Sequence, residues 1–506
     1  MREIIIDSFA GGGGASLGMS RGVGQSPDVA INHDAAAIAM HAANHPETRH
    51  VAKDIRKVRT SEVTQGRSVG LYWASPDCKH FSRAKGGKPV DKKIRGLAWE
   101  VIRWAVEQRP RVIILENVRE FEDWGPLIQK LVGGKGQVLD DGSPVLIPDP
   151  TRKGHSFKRW AGRLRGLGYD VQWRVLNAAD YGAPTHRRRL FLIARCDGLP
   201  IVWPEPTHGD PKKIGQRTLF GPALQPWRTA ASCIDWTIPC PSIFDRKKDL
   251  EENTLRRIAM GIKRYVLENP KPFIVQVNHA GPEFRGQELA HGKGPDGSTF
   301  NDGRAKLPDE PLGTIHAGGN NHALLAATMV QTGYTEREGQ APRCLDLNKP
   351  LGTVVDGQKH AAVTAFLAKH FGGPRQTAGQ GVDEPLRTQT TGNHAALVYA
   401  FLTKYFGTAI GANLIEPAPT ATGKDRFGLV TVHVNGEPYV IVDIGMRMLS
   451  PRELARAQGF PDSYVLTGSK SSQVARIGNS VCPCLAEALS RANYTPANVK
   501  RRAATA

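Results

Sequence analysis

The sequence predicts an α/β protein with a mostly parallel sheet, followed by a region that is rich in β-structure. Over the first 200 residues, short runs of β-branched residues alternate with stretches of helical periodicity, the pattern of a parallel sheet covered by helices. From about residue 201, Pro, Gly, Thr, His and Asn become frequent and the helical periodicity fades. Because ligands bind at the carboxyl ends of the strands in such sheets, polar motifs that follow the strands are the candidate site.

Six runs in the first part are strand candidates, namely residues 4–7, 29–32, 69–74, 111–116, 171–176 and 190–194. Residues 35–44 and 96–108 between them are helix candidates. Near the end of the chain, Ser450, Pro451 and Glu453 have the spacing of an N-cap, a first-turn Pro and a capping-box Glu. We expect another helix over residues 483–493, after a turn at residues 478–480.

A phrase containing Pro-Leu recurs in the second part of the chain. Its copies begin at Glu310, Lys349 and Glu384, with a decayed copy at Glu416, so the period is about 35 residues. Each copy is expected to form a turn, a Thr-containing strand, a Gly/Asn turn and an apolar strand. A histidine recurs at matching positions, and these side chains either contact a partner molecule or pack within each unit; we favour packing. The histidines are His322, His360 and His394.

Charge and composition narrow the class of protein. The formal net charge of +19 and the sequence pI near 9.7 favour a polyanionic partner, of which nucleic acid is the commonest. Seven cysteines in 506 residues, without a CxxC pair, indicate neither a disulfide framework nor a zinc site. The sequence has no apolar run of about 18 residues and no signal-peptide pattern at its start, so we expect a cytoplasmic protein without a membrane span.

Two motifs follow the first and third strand candidates. Residues 7–14 read DSFAGGGG, and glycines at such a turn let the backbone approach a ligand. Residues 75–82 read SPDCKHFS, which places the thiol of Cys78 in a polar loop at a strand end. Lys79 and Arg83 would favour the thiolate, whereas Asp77 would oppose it. An inert, buried cysteine is the alternative interpretation.

Two further motifs lie beside the later strands. Glu116-Asn117-Val118 ends the apolar run RVIIL, where a carboxyl group could donate a hydrogen bond or a proton. Residues 185–189 read THRRR directly before another apolar run, and arginines there could bind phosphate or a substrate carbonyl. Each motif by itself also fits a solvated loop.

Taken together, the order and spacing of these motifs resemble the DNA cytosine-5 methyltransferases. The resemblance covers roughly residues 1–200 and 440–490, and its later motifs are DYGAPTHRRR at 180–189, RMLSPRELARAQGFPD at 447–462 and IGNSV at 477–481. It implies a Rossmann-like S-adenosylmethionine-dependent methyltransferase sheet with an inserted β-rich target-recognition region. We expect a catalytic domain at 1–200, target recognition at 201–440, a return to the catalytic domain at 441–495 and a basic tail at 496–506.

The resemblance also implies roles for the matching residues. Cys78 would add to C6 of a flipped cytosine, Glu116 would hydrogen-bond its N3, and two arginines would hold the base and the catalytic loop. Those arginines are Arg187 and Arg189. The residues expected to bind S-adenosylmethionine are Phe9, Gly11, Gly13, Asn32, Asp54, Asn479 and Ser480.

Three positions depart from the family pattern. Asp77 stands directly before the cysteine, where the family usually has Pro, and Pro76 lies one step earlier. Asn32 takes the place of the acid that usually grips the cofactor ribose. Thr185 and His186 replace the usual Gln-Lys/Arg pair, so the arginines that follow carry most of that motif.

Several functions fit this pattern. The reaction expected from the resemblance is methyl transfer to C5 of cytosine in double-stranded DNA, by a monomer that acts either beside a cognate restriction endonuclease or alone. A tRNA cytosine-5 methyltransferase would use the same catalytic residues. A catalytically silent nucleic-acid-binding homologue would explain Asp77 and Asn32, although the presence of Cys78 and Glu116 together argues against it.

Overall fold

The computed structural model describes most of the first 211 residues and the last part of the chain. The long described stretches are residues 2–77, 96–132, 144–211 and 437–496. Between residues 212 and 436 the description is confined to shorter segments, among them 223–235, 322–331, 349–355 and 360–369. Cys78, the third repeat copy with His394 and the basic tail from residue 497 lie outside the described residues.

The chain folds into two compact units. The first unit comprises residues 1–229, 350–357 and 450–506, and the second comprises 230–349 and 358–449. The functional roles that we attach to the predicted domains stay predictions.

A seven-stranded sheet forms the centre of the first unit. Its strands are β1 (Ile4–Ser8), β2 (Val29–Asn32), β3 (Arg49–Ala52), β4 (Val69–Ala74), β5 (Val112–Asn117), β6 (Asp170–Asn177) and β7 (Arg188–Arg195). Their order in the sheet is β6-β7-β5-β4-β1-β2-β3. From β5 to β3 all neighbours are parallel, whereas β7 is antiparallel to both β5 and β6. This is a Rossmann-like α/β sheet, as the sequence predicts, and all six strand candidates are confirmed with ends shifted by at most two residues.

The first unit also contains helices and short 3₁₀ turns. Its helices are α1 (Gly14–Val23), α2 (Ala35–Asn44), α3 (Thr60–Thr64), α4 (Trp99–Glu107), α5 (His155–Gly166), α6 (Pro451–Gln458), α7 (Lys470–Asn479) and α8 (Pro483–Asn493). The 3₁₀ turns are Ile55–Lys57, Gly96–Ala98, Arg119–Asp123, Pro150–Arg152 and Ala178–Tyr181. None of the described helices has the length and apolar character needed to cross a bilayer.

Helix boundaries confirm some expectations and correct others. The helices expected at 35–44 and 483–493 are present with those bounds. The Ser450 hydroxyl accepts a hydrogen bond from the Glu453 amide, and the Glu453 carboxylate accepts one from the Ser450 amide, which confirms the capping box. The turn expected at 478–480 is wrong, because α7 continues through Asn479 and only Ser480 leaves the helix.

Both faces of the sheet are covered, so its central strands are buried along their whole length. Along β4, Tyr72 faces the side covered by α4 and α5, where it stacks on Trp104 at a ring-centroid distance of 5.0 Å. Leu71 and Trp73 face the opposite side, which α1 and α8 cover. The sheet is therefore packed on both sides. Because the strands from β5 to β3 are parallel, the polar residues at their carboxyl ends lie at one edge of the sheet.

The second unit is built on an antiparallel sheet. Its strands are β8 (Ile274–Asn278), β9 (Ala305–Lys306), β10 (His322–Gln331), β11 (Cys344–Leu345), β12 (His360–Lys369), β13 (Thr431–Val434) and β14 (Glu437–Met448). The order is β9-β8-β10-β12-β14-β13, and β11 pairs with β10. The β-rich inserted region that the sequence predicts is therefore present.

Two copies of the repeat supply the strands at the centre of this sheet. The apolar segments of the first and second copies are β10 and β12, which pair antiparallel from Gln331 with His360 to Leu324 with Leu367. The Thr-containing segment of the second copy is not a strand, contrary to expectation; within the described residues it forms a single bridge, between Leu351 and Thr185. His360 is buried, and burial lowers the pKa of its imidazole to about 4, which supports packing over DNA contact at this position.

Several short strands lie outside the two large sheets. Leu127–Gln129 and Leu146–Pro148 form an antiparallel pair that follows the Glu116 motif. The others are Leu131–Val132, Lys135–Gly136, His208–Gly209, Gln225–Pro226, Phe401–Lys404, Ala412–Asn413 and Phe427–Leu429.

Candidate active site

The glycine loop leaves the carboxyl end of β1 in a tight, left-handed conformation. Phe9, Gly11 and Gly13 have φ values of 61°, 50° and 88°. The amide of Ala10 donates to the carbonyl of Ile31 at the end of β2. Phe9 is the one member with a side chain at a positive φ, a conformation that costs energy outside glycine and is concentrated at functional sites.

The C-terminal helices contact this loop directly. Tyr464 donates a buried hydrogen bond of 2.7 Å from its hydroxyl to the carbonyl of Gly12. A Cβ atom at Gly12 would lie 3.2 Å from Oγ of Ser480, so the predicted cofactor residue Ser480 does reach the loop. Asn479, the last residue of α7, is exposed. The sequence therefore places Ser480 correctly beside the loop, whereas Tyr464 is a contact that sequence reasoning missed.

Behind the loop lies a buried hydrogen-bonded chain that sequence reasoning also missed. One carboxylate oxygen of Asp7, Oδ2, lies 2.6 Å from the hydroxyl of Ser16, which lies 2.8 Å from Nε2 of His41. Nδ1 of His41 lies 2.8 Å from Nε2 of His50, which is partly exposed. Burial raises the pKa of Asp7 to about 7 and holds the pKa of His41 well below its usual range. With His41 neutral and Ser16 donating to Asp7, His41 must donate from Nε2 and accept at Nδ1.

The other predicted cofactor residues follow β2 and β3 at the same edge. Asn32 Oδ1 accepts a hydrogen bond of 2.9 Å from the amide of Asp34, and the Asp34 carboxylate caps α2. Asp54 caps the 3₁₀ turn that follows β3 and pairs with Arg56, whose hydrogen bond lowers the pKa of Asp54 to about 2. Asn32, Asp54 and the glycine loop thus lie after three adjacent strands, β1, β2 and β3.

The segment that leads to Cys78 is fixed at its start. Asn117 at the end of β5 donates a buried hydrogen bond of 3.1 Å from Nδ2 to the carbonyl of Pro76. The amide of Ser75 donates to the carbonyl of Ser8, which connects the end of β4 to the end of β1. The Glu116-Asn117 motif and the segment before Cys78 are therefore joined by a direct bond, although Cys78 itself lies outside the described residues.

Glu116 and Arg189 are close neighbours on adjacent strands. Glu116 is buried on β5, and its Oε1 lies 3.3 Å from Nε of Arg189 on β7. Glu116 Oε1 forms no hydrogen bond with the described residues. A buried carboxyl group with a neighbouring cation and a free Oε1 can accept a hydrogen bond from a substrate when ionised and donate one when protonated.

Arg187 has a different environment from Arg189. Its guanidinium is buried, and Nη1 donates to the backbone carbonyls of Val354 at 2.8 Å and Gly478 at 2.9 Å. The structure therefore brings Glu116 and Arg189 together, whereas Arg187 binds backbone carbonyls from two distant segments.

Comparisons with known proteins agree with this arrangement. The model of the C-5 cytosine-specific DNA methylase family matches residues 4–124, 150–234 and 403–494, which is more than half of the chain. The Type II methyltransferase M.AgeI of Thalassovita gelatinovora is 27% identical over 511 residues, covering 96% of this chain and 97% of that protein. M.AquIA of a Picosynechococcus strain is 29% identical over 244 residues, covering 47% of this chain and 90% of its own.

Among solved structures, the S. pombe Dnmt2 methyltransferase aligns with 96% of this chain and 97% of its own, at 12% identity and a TM-score of 0.43. The family model includes the glycine loop, the Glu116 motif and the C-terminal return that closes on the loop. This chain therefore belongs to the family of C-5 cytosine-specific DNA methylases.

Proposed function

We propose that this protein transfers a methyl group from S-adenosylmethionine to C5 of cytosine in double-stranded DNA. The observation that carries the proposal is the bond from Asn117 to Pro76, which ties the buried Glu116 to the segment leading to Cys78. A nucleophile and an acid that act on two atoms of one base must be held at fixed separation. Family membership supplies the reaction class.

The residues around the glycine loop fit a cofactor with amino, carboxylate and ribose groups. Three buried oxygens there, Oδ1 of Asp7, Oγ of Ser8 and Oγ of Ser480, form no hydrogen bond within the described residues. Buried polar atoms without partners are rare in native proteins and indicate a bound ligand or water. When bound, S-adenosylmethionine supplies an activated methyl group. The residues proposed to hold it are Phe9, Gly11, Gly13, Asn32, Asp54, Asn479 and Ser480.

The proposed reaction uses Cys78 and Glu116 on the same base. The Cys78 thiolate adds to C6 of cytosine, and Glu116 stabilises the resulting electron density through N3. C5 then becomes nucleophilic enough to take the methyl group, and the S–CH3 bond would break with release of S-adenosylhomocysteine. Loss of the C5 proton and elimination of Cys78 restore the aromatic ring and the free thiolate. The cytosine must leave the DNA stack to reach the thiol.

Glu116 and Arg189 have different proposed roles at the base. The guanidinium beside Glu116 keeps one carboxylate oxygen oriented while the carboxyl group contacts the substrate. Arg187, together with the loop around it, is proposed to support the position of that pair. This role differs from direct contact of both arginines with the base.

We propose that residues 201–440 select the DNA target, with the strongly basic chain as a whole favouring the polyanion. The names of the relatives, Type II methyltransferases, support a place in a restriction-modification system and a cognate endonuclease. We propose a cytoplasmic monomer.

The test is methyl transfer from S-adenosylmethionine labelled in its methyl group, offered duplex DNA of mixed sequence and tRNA in parallel. Digestion of the product to nucleosides identifies the labelled base. Label in 5-methyldeoxycytidine supports the proposal. Label in tRNA alone would replace it with tRNA cytosine-5 methylation, and binding of DNA without label would indicate a silent homologue.

A further inference from the structure

Within the first unit, residues 351–354 of the second repeat copy form a continuous set of hydrogen bonds with residues 184–187. The amide of Leu351 donates to the carbonyl of Pro184 at 2.9 Å, and the amide of His186 donates to the carbonyl of Leu351 at 2.7 Å. Between them, the hydroxyl of Thr185 donates to the carbonyl of Gly352 at 3.0 Å. Thr185 and Leu351 are almost completely buried, with exposures of 0% and 1%.

The next residues continue the same contact. The hydroxyl of Thr353 donates to the carbonyl of His186 at 3.4 Å, and Nη1 of Arg187 donates to the carbonyl of Val354. Val354 is 1% exposed. The contact thus involves each residue from 184 to 187 and ends on a buried guanidinium, for which unpaired burial is costly.

The position of this segment in the chain makes the contact unexpected. Residues 350–357 belong to the first unit, whereas residues on both sides of them belong to the second. The chain therefore leaves the repeat region, bonds to residues 184–187 and returns. The phrase KPLGTVV differs from the first copy, EPLGTIH, at Lys349, Val354 and Val355, and from the third copy, EPLRTQT, at Gly352 as well.

Residues 184–187 lie immediately before the strand that carries Arg189. The carbonyl of Arg187 accepts a hydrogen bond from the amide of Ala178, and β7 begins at the next residue, Arg188. A displacement at Thr185 or Arg187 would shift the start of β7. It would then change the 3.3 Å approach of Arg189 to Glu116.

We propose that the second repeat copy is a positioning element of the reaction centre, in which Leu351, Gly352 and Val354 hold Thr185 and Arg187 so that Arg189 is set against Glu116. The inference rests on the proposed function for its consequence in catalysis. It assigns the PLGTV segment of this copy to the support of Arg189, and it makes Thr185 a positioning residue. The proposal also explains why Thr185 stands where the family usually has Gln, because the threonine hydroxyl donates a hydrogen bond to the carbonyl of Gly352.

The first test compares Thr185→Val with Thr185→Ser. Valine keeps the shape of threonine but leaves the partly buried carbonyl of Gly352 without its donor, whereas serine keeps the hydroxyl. We expect the single-turnover rate of methyl transfer to fall about tenfold in Thr185→Val and to recover in Thr185→Ser. The Kd values for DNA and cofactor should change less than about twofold, because the Thr185 side chain is fully buried and its hydroxyl is bonded to Gly352.

Amide hydrogen exchange supplies a readout that does not depend on activity. The amides of His186 and Leu351 should exchange slowly in the wild-type protein and faster in Thr185→Val, while the melting temperature of Thr185→Ser stays near that of the wild type. Unprotected amides in the wild-type protein would overturn the contact itself. A wild-type rate in Thr185→Val would overturn the positioning role.

The repeat offers a matched set of controls in case Thr185→Val does not fold. Leu351→Ala is compared with Leu312→Ala and Leu386→Ala, which change the same position of the other copies. Only Leu351→Ala should lower the single-turnover rate, and Leu351→Met should restore it. An equal loss of rate in all three alanine variants would overturn the proposal, since it would show a general effect of the repeats. If the wild-type protein transfers no methyl group, the proposed function fails, whereas the exchange experiment still decides whether the contact exists.

Discussion

Nε of Arg189 lies 3.3 Å from Oε1 of Glu116, across the antiparallel pair of strands β5 and β7. Both side chains are largely buried, with side-chain exposures of 13% and 9%. The pair lies where β5, which ends at Asn117, is hydrogen-bonded to β7, which begins inside the THRRR motif. The arrangement places two motifs about 70 residues apart in sequence side by side.

Glu116→Gln should lower the rate of methyl transfer by about 100-fold or more, because an amide cannot supply the proton or the charge that stabilises the adduct. DNA binding should be nearly unchanged. Glu62→Gln is the control, since it breaks an exposed pair with Arg59. Steady-state kinetics checks both variants, and a Glu116→Gln protein with the wild-type kcat would remove Glu116 from the mechanism.

Tyr464→Phe should weaken cofactor binding. The variant removes the hydroxyl that donates a hydrogen bond to the buried carbonyl of Gly12. If the glycine loop loses about 1 kcal/mol of support for its cofactor-binding conformation, the Kd for the cofactor rises several-fold. Tyr494→Phe is the matched control, because the Tyr494 hydroxyl is buried without a hydrogen bond among the described residues. Calorimetric titration with S-adenosylmethionine measures both, and equal affinities for the two variants would contradict the role of Tyr464.

Asp7 should make the stability of the protein depend on pH. Burial raises the pKa of Asp7 from 3.8 to about 7, so the native state holds this proton more tightly than the unfolded chain does. The stabilising contribution is complete below pH 3.8 and is lost as the pH rises to about 7. Asp7→Asn has no such loss.

The advantage of Asp7→Asn over the wild type in free energy of unfolding should therefore grow between pH 5 and pH 8, by roughly 2–3 kcal/mol. Asp54→Asn is the control, because the pKa of Asp54 is lowered to about 2 and its contribution is constant over that range. Urea unfolding at both pH values measures the differences. An advantage of Asp7→Asn that does not change with pH would show that Asp7 titrates normally.

Gly18→Ala should destabilise the protein by about 1–3 kcal/mol through overpacking. A Cβ atom at Gly18 would lie 2.5 Å from Cβ of Ala486 on α8. Gly162→Ala in α5 has no atom within 4 Å of the new methyl group and should stabilise the protein by about 0.5–1 kcal/mol. Thermal unfolding of the two variants should shift in opposite directions; a shift in the same direction would argue against close packing of α1 on α8.

Glycines weaken the sequence signal of helix α1. Gly14, Gly18 and Gly22 lower its intrinsic helix propensity. Their spacing of four residues places them on one face, where Gly18 and Gly22 let α8 approach closely. Tertiary packing therefore outweighs local propensity in this segment. Strand β3 was not predicted, because its four residues, RHVA, are half exposed and lack an apolar run.

The candidate site was predictable where a motif follows a strand, as at Glu116 and the glycine loop. It was not predictable where contacts join distant segments through the backbone. Leu351 and Thr185 are 166 residues apart, and hydrogen bonds between main-chain atoms leave no signature in side-chain chemistry. The chain through Asp7 and His41 had a faint signal, since His41 lies in α2 four residues before its C-cap residue His45, and Asp7 lies near the end of a buried strand.

The most direct test of the account is covalent trapping on a DNA duplex that carries 5-fluorocytosine. With S-adenosylmethionine present, fluorine at C5 prevents the final elimination, so the account predicts a protein–DNA complex that survives denaturing electrophoresis for the wild type and is absent for Cys78→Ala. Glu116→Gln should form it more slowly. A wild-type protein that forms no such complex, or a Cys78→Ala protein that forms it equally well, would contradict the proposed covalent mechanism.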